Sequence, residues 1–242
     1  MRIDVITIFP ELFECFVKSS LLAKALEKKL IEINVHNLRN WAQGKHKVVD
    51  DKPYGGGPGM VLKIEPIYKA VAKLKKNKKS KVILLTPRGK KFNQTLAKKW
   101  AKDLKQIIII SGRYEGVDER VKKLADEIIS VGDFITLGGE VPAMALVEAV
   151  ARLVPGVVGK KESIEKLDFP QYTRPKVFEI KSKVNPKSPV DPEKGRGPSG
   201  LYGLGSLREN QKSKIWKVPK VLTTGNHKKI EEWRKKKAKK IE

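Results

Sequence analysis

The chain has 242 residues, and its 40% hydrophobic and 33% charged content is typical of a folded globular protein with one large or two small domains. Its net charge of +25 predicts a polyanionic partner, most commonly nucleic acid, and a lysine-rich thermophile surface is the alternative. A single cysteine excludes a disulfide framework, and no run of 18 apolar residues predicts a membrane span. The amino terminus resembles a first strand rather than a signal peptide, so a cytoplasmic protein without a membrane partner is expected.

The first part of the chain predicts strands, helices and one long loop. Apolar runs predict strands, and apolar residues at helical spacing predict a helix or a helix pair. The strands are expected at 2–9 and 31–36, and the helices at 11–30 and 64–74. Residues 37–61 lack any period, and an aperiodic segment of this length inside a compact domain is more often functional than not.

A regular alternation of strands and helices follows. The predicted elements are strand 82–85, helix 93–104, strand 106–111, short helix 118–125, strand 127–131 and helix 141–154. Such an alternation predicts an α/β fold with a parallel sheet and helices on both faces. Ligands bind such sheets beyond the carboxyl ends of the strands. The turns at 86–89, 112–116 and 131–139 follow three of these strands, so we expect them to lie side by side.

The composition changes after Gly156. Residues 1–155 carry 29 basic and 17 acidic groups, a net charge of +12, whereas the much shorter segment 156–242 carries 23 and 10, a net charge of +13. A small, mostly helical, basic C-terminal domain is therefore expected, with a helix at 226–240. The predicted division is a first domain at 1–159, a linker at 160–171, and a second domain at 172–242 with a basic loop inserted at about 182–217.

Familiar nucleotide and metal motifs are absent from the sequence. It has no phosphate-binding G-x-x-x-x-G-K-[ST] motif and no G-x-G-x-x-G after the first strand. The three histidines lie far apart without an i, i+4 pair, so no metal site is predicted. Cys15, beside Phe16 in a predicted helix, is interpreted as a core residue.

Glycines and two charged residues mark the candidate site. Gly112 and Gly116 bracket three polar residues, and Gly138 with Gly139 forms a second turn in which a ligand can approach the backbone. Glu140 opens the last predicted helix, where a carboxylate is stabilised by the helix dipole or serves a substrate. Arg152 either extends to water or faces developing negative charge.

Four ordered motifs carry a family resemblance, with two shorter matches near the end of the chain. The motifs are Val49–Met60, Ser111–Arg120, Gly138–Met144 and Tyr172–Pro175, followed by Gly225–His227 and Trp233–Arg234. Together they resemble the bacterial tRNA (guanine-N1)-methyltransferase family, often called TrmD. The resemblance implies a SPOUT fold with a deep trefoil knot, S-adenosylmethionine bound bent within the knotted loops, and a homodimer whose active sites are shared between subunits.

The resemblance also implies which residues bind the cofactor and the tRNA. The implied cofactor-binding residues are Leu85, Thr86, Pro87, Gly112, Arg113, Tyr114, Glu115, Val131, Gly132, Asp133, Phe134, Ile135, Thr136, Leu137, Gly138 and Gly139. The implied substrate-binding residues are Asp50, Tyr54, Gly55, Gly56, Gly57, Glu140 and Ser163. The tRNA is expected to bind the C-terminal third and the basic segments 75–81 and 235–240. A magnesium ion is expected, if at all, without a dedicated protein site.

The implied reaction methylates N1 of the guanosine just 3′ of the anticodon, at position 37. Guanine N1 is a poor nucleophile until a carboxylate removes its proton, and a cation can then stabilise negative charge at O6. By resemblance Arg152 is the cation and Glu115 a further catalytic residue. Asp168, the only aspartate of a linker shorter than the family's, is the predicted base, with Glu165 in reserve; Asp168 also matches a second, noncatalytic family aspartate.

Two alternatives stay open at this point. One is a related SPOUT enzyme that modifies another RNA site, against which the loop of Tyr54 to Gly59 argues. The other is a noncatalytic RNA-binding protein that kept the fold. Residues 182–217 depart from the family pattern, and we expect them either to contact phosphates or to form a solvated loop.

Overall fold

A computed structural model of the protein describes residues 1–76, 78–159, 169–180 and 214–238. The chain divides into two compact units, Met1–Lys166 and Leu167–Ile241. Within the described ranges, no helix has the length and hydrophobicity needed to cross a membrane.

The described residues form nine strands and six α-helices. The strands are β1 (Arg2–Thr7), β2 (Glu32–Asn37), β3 (Asp50–Asp51), β4 (Val61–Leu62), β5 (Ser80–Lys91), β6 (Gln106–Ile110), β7 (Glu127–Ser130), β8 (Val177–Ile180) and β9 (Lys214–Lys217). The helices are α1 (Glu14–Val17), α2 (Ser20–Glu27), α3 (Ile64–Leu74), α4 (Gln94–Asp103), α5 (Glu140–Ala151) and α6 (His227–Lys237). Short 3-10 helices lie at Pro10–Phe13, Leu38–Trp41, Glu119–Lys123 and Lys220–Thr223.

A five-stranded parallel sheet is the centre of the first unit. Its strand order is β2-β1-β6-β5-β7, and every neighbouring pair is parallel. The parallel sheet predicted from the strand–helix alternation is therefore confirmed. Because β6, β5 and β7 are neighbours, residues 86–89 within β5 and the turns that follow β6 and β7 meet at one edge of the sheet, as predicted.

Helices cover both faces of this sheet. Alternate side chains along a strand point to opposite faces. The face that includes Ile83 and Ile109 packs against α4 and α5, and the face that includes Val82 and Ile108 packs against α3. Each fully buried aliphatic side chain contributes about 1.5–3 kcal/mol. Two apolar faces thus account for a three-layer α/β fold.

Residues 11–30 form a helix pair, one of the two structures expected from their spacing, rather than a single long helix. They form a 3-10 turn, the four-residue α1 and the eight-residue α2. A φ of 47° at Ser20 interrupts the helical path, because this value lies in the left-handed region. Cys15 on α1 is exposed, so its interpretation as a core residue was wrong.

The long aperiodic segment 37–61 contains more structure than its sequence predicts. Its ends pair as the short antiparallel strands β3 and β4, with Asp50 opposite Leu62. Val49 and Leu62 are buried in the core beside α3, which anchors the segment at both ends. The predicted short helix at 118–125 is a 3-10 helix, and the Asp118 carboxylate accepts a hydrogen bond from the Arg120 amide at its start.

A buried carboxylate organises the sheet toward the amino ends of its strands. Asp4 on β1 is fully buried and lies 2.7–2.8 Å from donor nitrogens of Arg2, His36 and Gln106. Burial raises the pKa of the Asp4 carboxyl, but these hydrogen bonds outweigh burial, so the pKa lies well below its ordinary value. Gln106 also donates to the Leu74 carbonyl, which ties α3 to this cluster.

The second unit contains a small antiparallel sheet and one longer helix. β8 pairs with β9, and Asn226 caps the amino end of α6 by accepting from the Lys229 amide. Arg234 on α6 lies over the ring of Phe169. β9 falls within the loop predicted at 182–217, so that prediction was wrong for its last four residues; 182–213 lie outside the described residues.

Candidate functional site

A cavity of about 400 Å³ opens at the carboxyl edge of the sheet in the first unit. Three segments line it, and they follow or interrupt the neighbouring strands β5, β6 and β7. The lining residues are 84–88, 112–117, and 129–131 with 134–139, with further contributions from Glu119, Lys122 and Pro142. This volume lies within the usual range of small-molecule sites.

The first wall is a bulge in β5 rather than the strand-ending turn that the sequence predicts. β5 pairs with β7 through Leu85, and pairing resumes at Lys90 after a register shift. A Cβ at Gly89 would lie 2.5 Å from the Ile129 carbonyl carbon, so the backbones approach too closely for any other residue. The four residues 86–89 therefore project from a strand that is fixed on both sides.

The second wall is a tight turn after β6. The Gly116 amide donates to the Arg113 carbonyl at 2.9 Å, and Tyr114 has a φ of 58°. A positive φ at an aromatic residue is strained, and such strain is concentrated at ligand sites. The Glu115 carboxylate forms no ion pair with any residue in the described part of the chain.

The third wall lies directly against the second. The Gly139 amide donates to the Gly112 carbonyl at 2.7 Å. A Cβ at Gly139 would lie 2.8 Å from the Ser111 Cα, and a Cβ at Gly138 would lie 2.5 Å from the Arg113 side chain. Only glycines allow the two walls to meet at these positions, so the glycine pair fixes the width of the cavity.

Glu140 and Arg113 form an ion pair beside this junction. Thr7 donates to one carboxylate oxygen of Glu140 at 2.8 Å, and Arg113 donates to the other at 3.2 Å. The Arg113 guanidinium also lies 4.8 Å from the centre of the Phe9 ring. Glu140 is only 1% exposed. Its carboxylate is held by these internal partners at the start of α5, and its role as a substrate contact stays a prediction.

Most of the predicted cofactor-binding residues line the cavity, although they come from three separate segments. Those lining it are Leu85, Thr86, Pro87, Gly112, Arg113, Tyr114, Glu115, Val131, Phe134, Ile135, Thr136, Leu137, Gly138 and Gly139. Gly132 and Asp133 do not: a Cβ on Gly132 would meet the Phe134 ring, and Asp133 is an exposed partner of Lys91. These two residues shape the turn rather than line the cavity.

Sequence reasoning missed several charged residues of the cavity. Arg88, Glu119 and Lys122 line it, and Lys122 pairs with Glu119. Arg88 could have been found because it lies inside the turn already singled out. Glu119 and Lys122 belong to a 3-10 helix that reaches the cavity only through the tertiary fold, so nothing local marks them.

The glycine-rich part of the predicted substrate loop adjoins the second wall. The Glu115 amide donates to the Met60 carbonyl at 3.0 Å, and a Cβ on Gly59 would lie 2.6 Å from the Glu115 side chain. Gly55, Gly56 and Gly57 all have positive φ, and Tyr54 is fully exposed. Asp50 lies at the base of this loop on β3.

The predicted catalytic residues are not gathered around this cavity in one chain. Arg152 follows α5 and lines a second cavity of about 190 Å³ with Glu148, Phe16 and Ser19. Along α5, Pro142 lines the first cavity, and Arg152 lies ten residues further on, about 15 Å along the helix axis. Asp168, Glu165 and Ser163 lie outside the described residues.

No group of three or more histidine, cysteine, aspartate or glutamate side chains in the described part of the chain has the arrangement of a metal site. The charged side chains at the cavity are instead paired with one another, apart from Glu115 and Arg88. An uncompensated carboxylate next to backbone-built walls suits a ligand that carries positive charge.

These features define a class: an α/β protein with a small-molecule pocket, built largely from backbone, at the carboxyl edge of three neighbouring parallel strands. Comparison with known families gives the particular family. The family model described as tRNA (Guanine-1)-methyltransferase TrmD matches residues 1–188. The chain belongs to this family.

Relatives that carry the corresponding name align with nearly the whole length of the chain. A tRNA (guanine-N(1)-)-methyltransferase of Dictyoglomus turgidum is 45% identical over 98% of this chain and 85% of its own. One of Trichodesmium erythraeum is 44% identical over 97% and 91%. One of Carboxydothermus hydrogenoformans is 45% identical over 98% and 82%.

Proposed function

We propose that this protein transfers a methyl group from S-adenosylmethionine to N1 of guanosine 37 in tRNA, just 3′ of the anticodon. The observation that carries the proposal is the cavity between the Gly112–Gly116 turn and residues 129–139, inside the region that matches the family. The names of the relatives favour this activity over another RNA modification or a noncatalytic RNA-binding role.

The cavity residues fit S-adenosylmethionine. Its sulfonium is cationic, and Glu115 supplies an uncompensated carboxylate at the cavity. Apolar side chains such as Leu85 and Val131 line the same space, so the walls also suit the uncharged parts of the cofactor. Gly138 and Gly139 would let the cofactor approach the backbone closely. When bound, the cofactor supplies an electrophilic methyl group.

The residues of the chain must also prepare guanine for attack. Asp168 is proposed to remove the N1 proton, because the neutral ring is a weak nucleophile. Arg152 is proposed to stabilise the negative charge that moves toward O6. Tyr54 and the glycines that follow it are proposed to hold the substrate, which the contact between Gly59 and Glu115 places next to the cavity wall.

A homodimer with shared active sites is part of this proposal, and the position of Arg152 supports it. Its cavity and the cofactor cavity lie at opposite ends of α5, so one chain does not bring the two functions together. Ile135 and Leu137 at the cofactor cavity are 86% and 89% exposed, and Val141 at the start of α5 is also exposed. Apolar side chains in such positions favour cover by a second subunit that contributes its own Arg152.

The remaining family features complete the proposal. The match to the family supports a deep trefoil knot through the loops that contain Gly112 and Gly139, an exception to the usual rule that chains do not thread. The proposed division is a methyltransferase domain at 1–159, a linker at 160–171 and a tRNA-binding domain at 172–242. The charge density of the last segment favours its role in holding RNA, and a magnesium ion, if used, would be held without a dedicated protein site.

Nucleoside analysis tests the activity directly. Purified protein is incubated with unmodified tRNA and labelled S-adenosylmethionine, and the tRNA is digested. We expect label in N1-methylguanosine, and none when guanosine 37 is replaced by adenosine. Label in a different nucleoside, or no label, would refute the proposal.

Replacement of the proposed base tests the assignment of Asp168. Asp168→Asn removes the proton acceptor while keeping the shape, so turnover should nearly vanish while S-adenosylmethionine binding by calorimetry stays intact. Full activity in this variant would transfer the role to Glu165, which the Glu165→Gln variant then checks.

A further inference from the structure

The small sheet of the second unit presents an aromatic pair that the proposed chemistry does not use. Phe178 on β8 lies directly opposite Trp216 on β9. Their ring centres are 6.0 Å apart, and the rings are tilted by 32°. Phe178 is 52% exposed and Trp216 is 58% exposed. In the described structure, more than half of each of these large side chains therefore faces solvent.

This exposure is costly for so small a sheet. Two strands alone are marginally stable in water, and here the opposite face adds Val177 and Ile215, which are also about half exposed. Exposed apolar surface grouped in this way marks an interaction site more often than chance placement. The aromatic pair is thus the strongest candidate for a second contact surface.

The charges around the pair indicate which partner fits it. Lys176 precedes β8, and the Val218 amide donates to its carbonyl at 2.9 Å, so the strand pairing extends to this residue. By alternation Lys176 shares the face of Phe178 and Trp216. Lys217 follows Trp216 directly and therefore lies on the other face, with Val177 and Ile215. Lys176 and Lys220 are exposed, and neither of them forms an ion pair with any residue in the described ranges.

An unpaired lysine on the same face as two exposed rings matches nucleic acid better than an apolar protein surface. Single-stranded RNA presents a phosphate backbone together with unstacked bases, and proteins bind it by combining cations with aromatic stacking. In a base-paired duplex the bases stack on one another, so their faces could not contact both rings. The face therefore suits a nucleotide whose base is splayed out of a helix.

We infer that Phe178 and Trp216 form a stacking platform for an unpaired base of the RNA substrate, with Lys176 on the same face contacting its phosphate backbone. The inference rests on the proposed function in that it takes tRNA as the substrate. The platform contributes affinity for tRNA and leaves the binding of S-adenosylmethionine to the first unit.

A pair of matched variants tests the platform. Trp216→Ala removes one ring, and Ile215→Ala removes a similarly exposed apolar side chain from the other face of the same strand. We expect Trp216→Ala to weaken tRNA binding by at least about fivefold, the lower end of the loss of one base–aromatic stack. Ile215→Ala and Trp216→Phe should stay close to the wild type, and S-adenosylmethionine affinity should be unchanged in all three.

Equal losses in Trp216→Ala and Ile215→Ala would overturn the inference, because they would indicate damage to the sheet rather than lost stacking. No loss in Trp216→Ala would overturn it as well. So would a Trp216→Ala protein that binds tRNA normally but sediments as a smaller species, since the face would then contact a second copy of the chain.

Fluorescence gives a second test that does not depend on truncating the ring. An unstructured oligonucleotide should quench tryptophan emission more in the wild type than in Trp216→Phe, and a fully paired duplex should not. Equal quenching would overturn the inference. If the wild type fails to methylate tRNA but this difference in quenching persists, the proposed function fails and the platform stands. If the wild type methylates tRNA but shows no such difference in quenching, the platform fails and the proposed function stands.

Discussion

The two edges of the central sheet are built on opposite principles. Toward the amino ends, the buried Asp4 carboxylate is surrounded by donors from Arg2, His36 and Gln106. At the carboxyl ends, the backbones of Gly112 and Gly139 meet around an open cavity. One edge saturates a buried charge with partners, and the other leaves space and polar groups for a ligand. The same strands therefore support stability at one edge and ligand binding at the other.

Asp4→Asn should have the largest effect on stability, and it acts on the amino edge alone. The variant removes the charge to which Arg2 and His36 donate and leaves a buried network without its centre. We expect a loss of about 3–5 kcal/mol in the free energy of unfolding, measured in urea. Affinity for S-adenosylmethionine should be unchanged at temperatures where the protein is folded.

The exposed Asp103 on α4 provides the control for this variant. Asp103→Asn makes the same chemical change without a buried network, so its effect should stay within about 0.5 kcal/mol. Similar losses in both variants would contradict the division between the two edges.

Gly139→Ala breaks the carboxyl edge instead. The added Cβ would lie 2.8 Å from the Ser111 Cα and 2.9 Å from the Gly112 nitrogen, so two cavity walls must separate. We expect a loss of about 1–3 kcal/mol in stability from overpacking. Calorimetry should show a much weaker affinity for S-adenosylmethionine.

Gly159→Ala is the matched substitution, because a Cβ there meets nothing within 4 Å. It should bind the cofactor as the wild type does. Unaltered binding by Gly139→Ala would show that the spacing of the walls does not govern the site.

Thr7→Val tests the hydrogen bond between the carboxyl end of β1 and the start of α5. The change removes the donor to Glu140 and the acceptor of the Phe9 amide. A buried group left without its partner costs about 1–3 kcal/mol, which thermal unfolding would detect. Thr7→Ser keeps the hydroxyl and should recover most of this loss, whereas an equally unstable serine variant would assign the effect to packing.

Acid should reduce the difference in the free energy of unfolding between the wild type and Asp4→Asn. This reduction is the smallest expected effect. The pKa of Asp4 is lowered in the folded protein, so its contribution to stability is complete above its unfolded pKa and is lost as the pH falls toward the folded value. Urea unfolding from pH 7 to pH 3 should show the gap between the two proteins closing below about pH 4. A gap that stays constant would mean that the pKa of Asp4 is the same in the folded and unfolded states.

Local sequence signals predicted much of this molecule. The apolar spacing of residues 64–74 matches α3 at both ends, and the run of isoleucines at 107–110 forms the centre of β6. The sequence predicted that the glycine turns after neighbouring strands share one edge of the sheet, because the carboxyl ends of parallel strands lie at the same edge. Periodicity and turn chemistry are local properties, so they can be recognised without the tertiary fold.

The features that escaped prediction depend on distant partners. Nothing near Thr7 indicates that it binds Glu140, and Lys122 reaches the cavity only because its 3-10 helix packs beside β6. The four residues of β9 have the same basic composition as the predicted loop, and only their pairing with β8 distinguishes them as a strand. The place of Arg152 outside the cofactor cavity follows from the length of α5, which the sequence predicted only approximately.

The hydrogen bond between Thr7 and Glu140 joins residues that are 133 positions apart in the chain. On a ribosome that adds about 5–20 residues per second, the first strand would wait roughly 7 to 27 s before its partner has been made. During that interval the nascent amino terminus cannot complete the junction beneath the cavity. The order of synthesis thus makes the ligand-binding edge one of the last parts of the first unit to form.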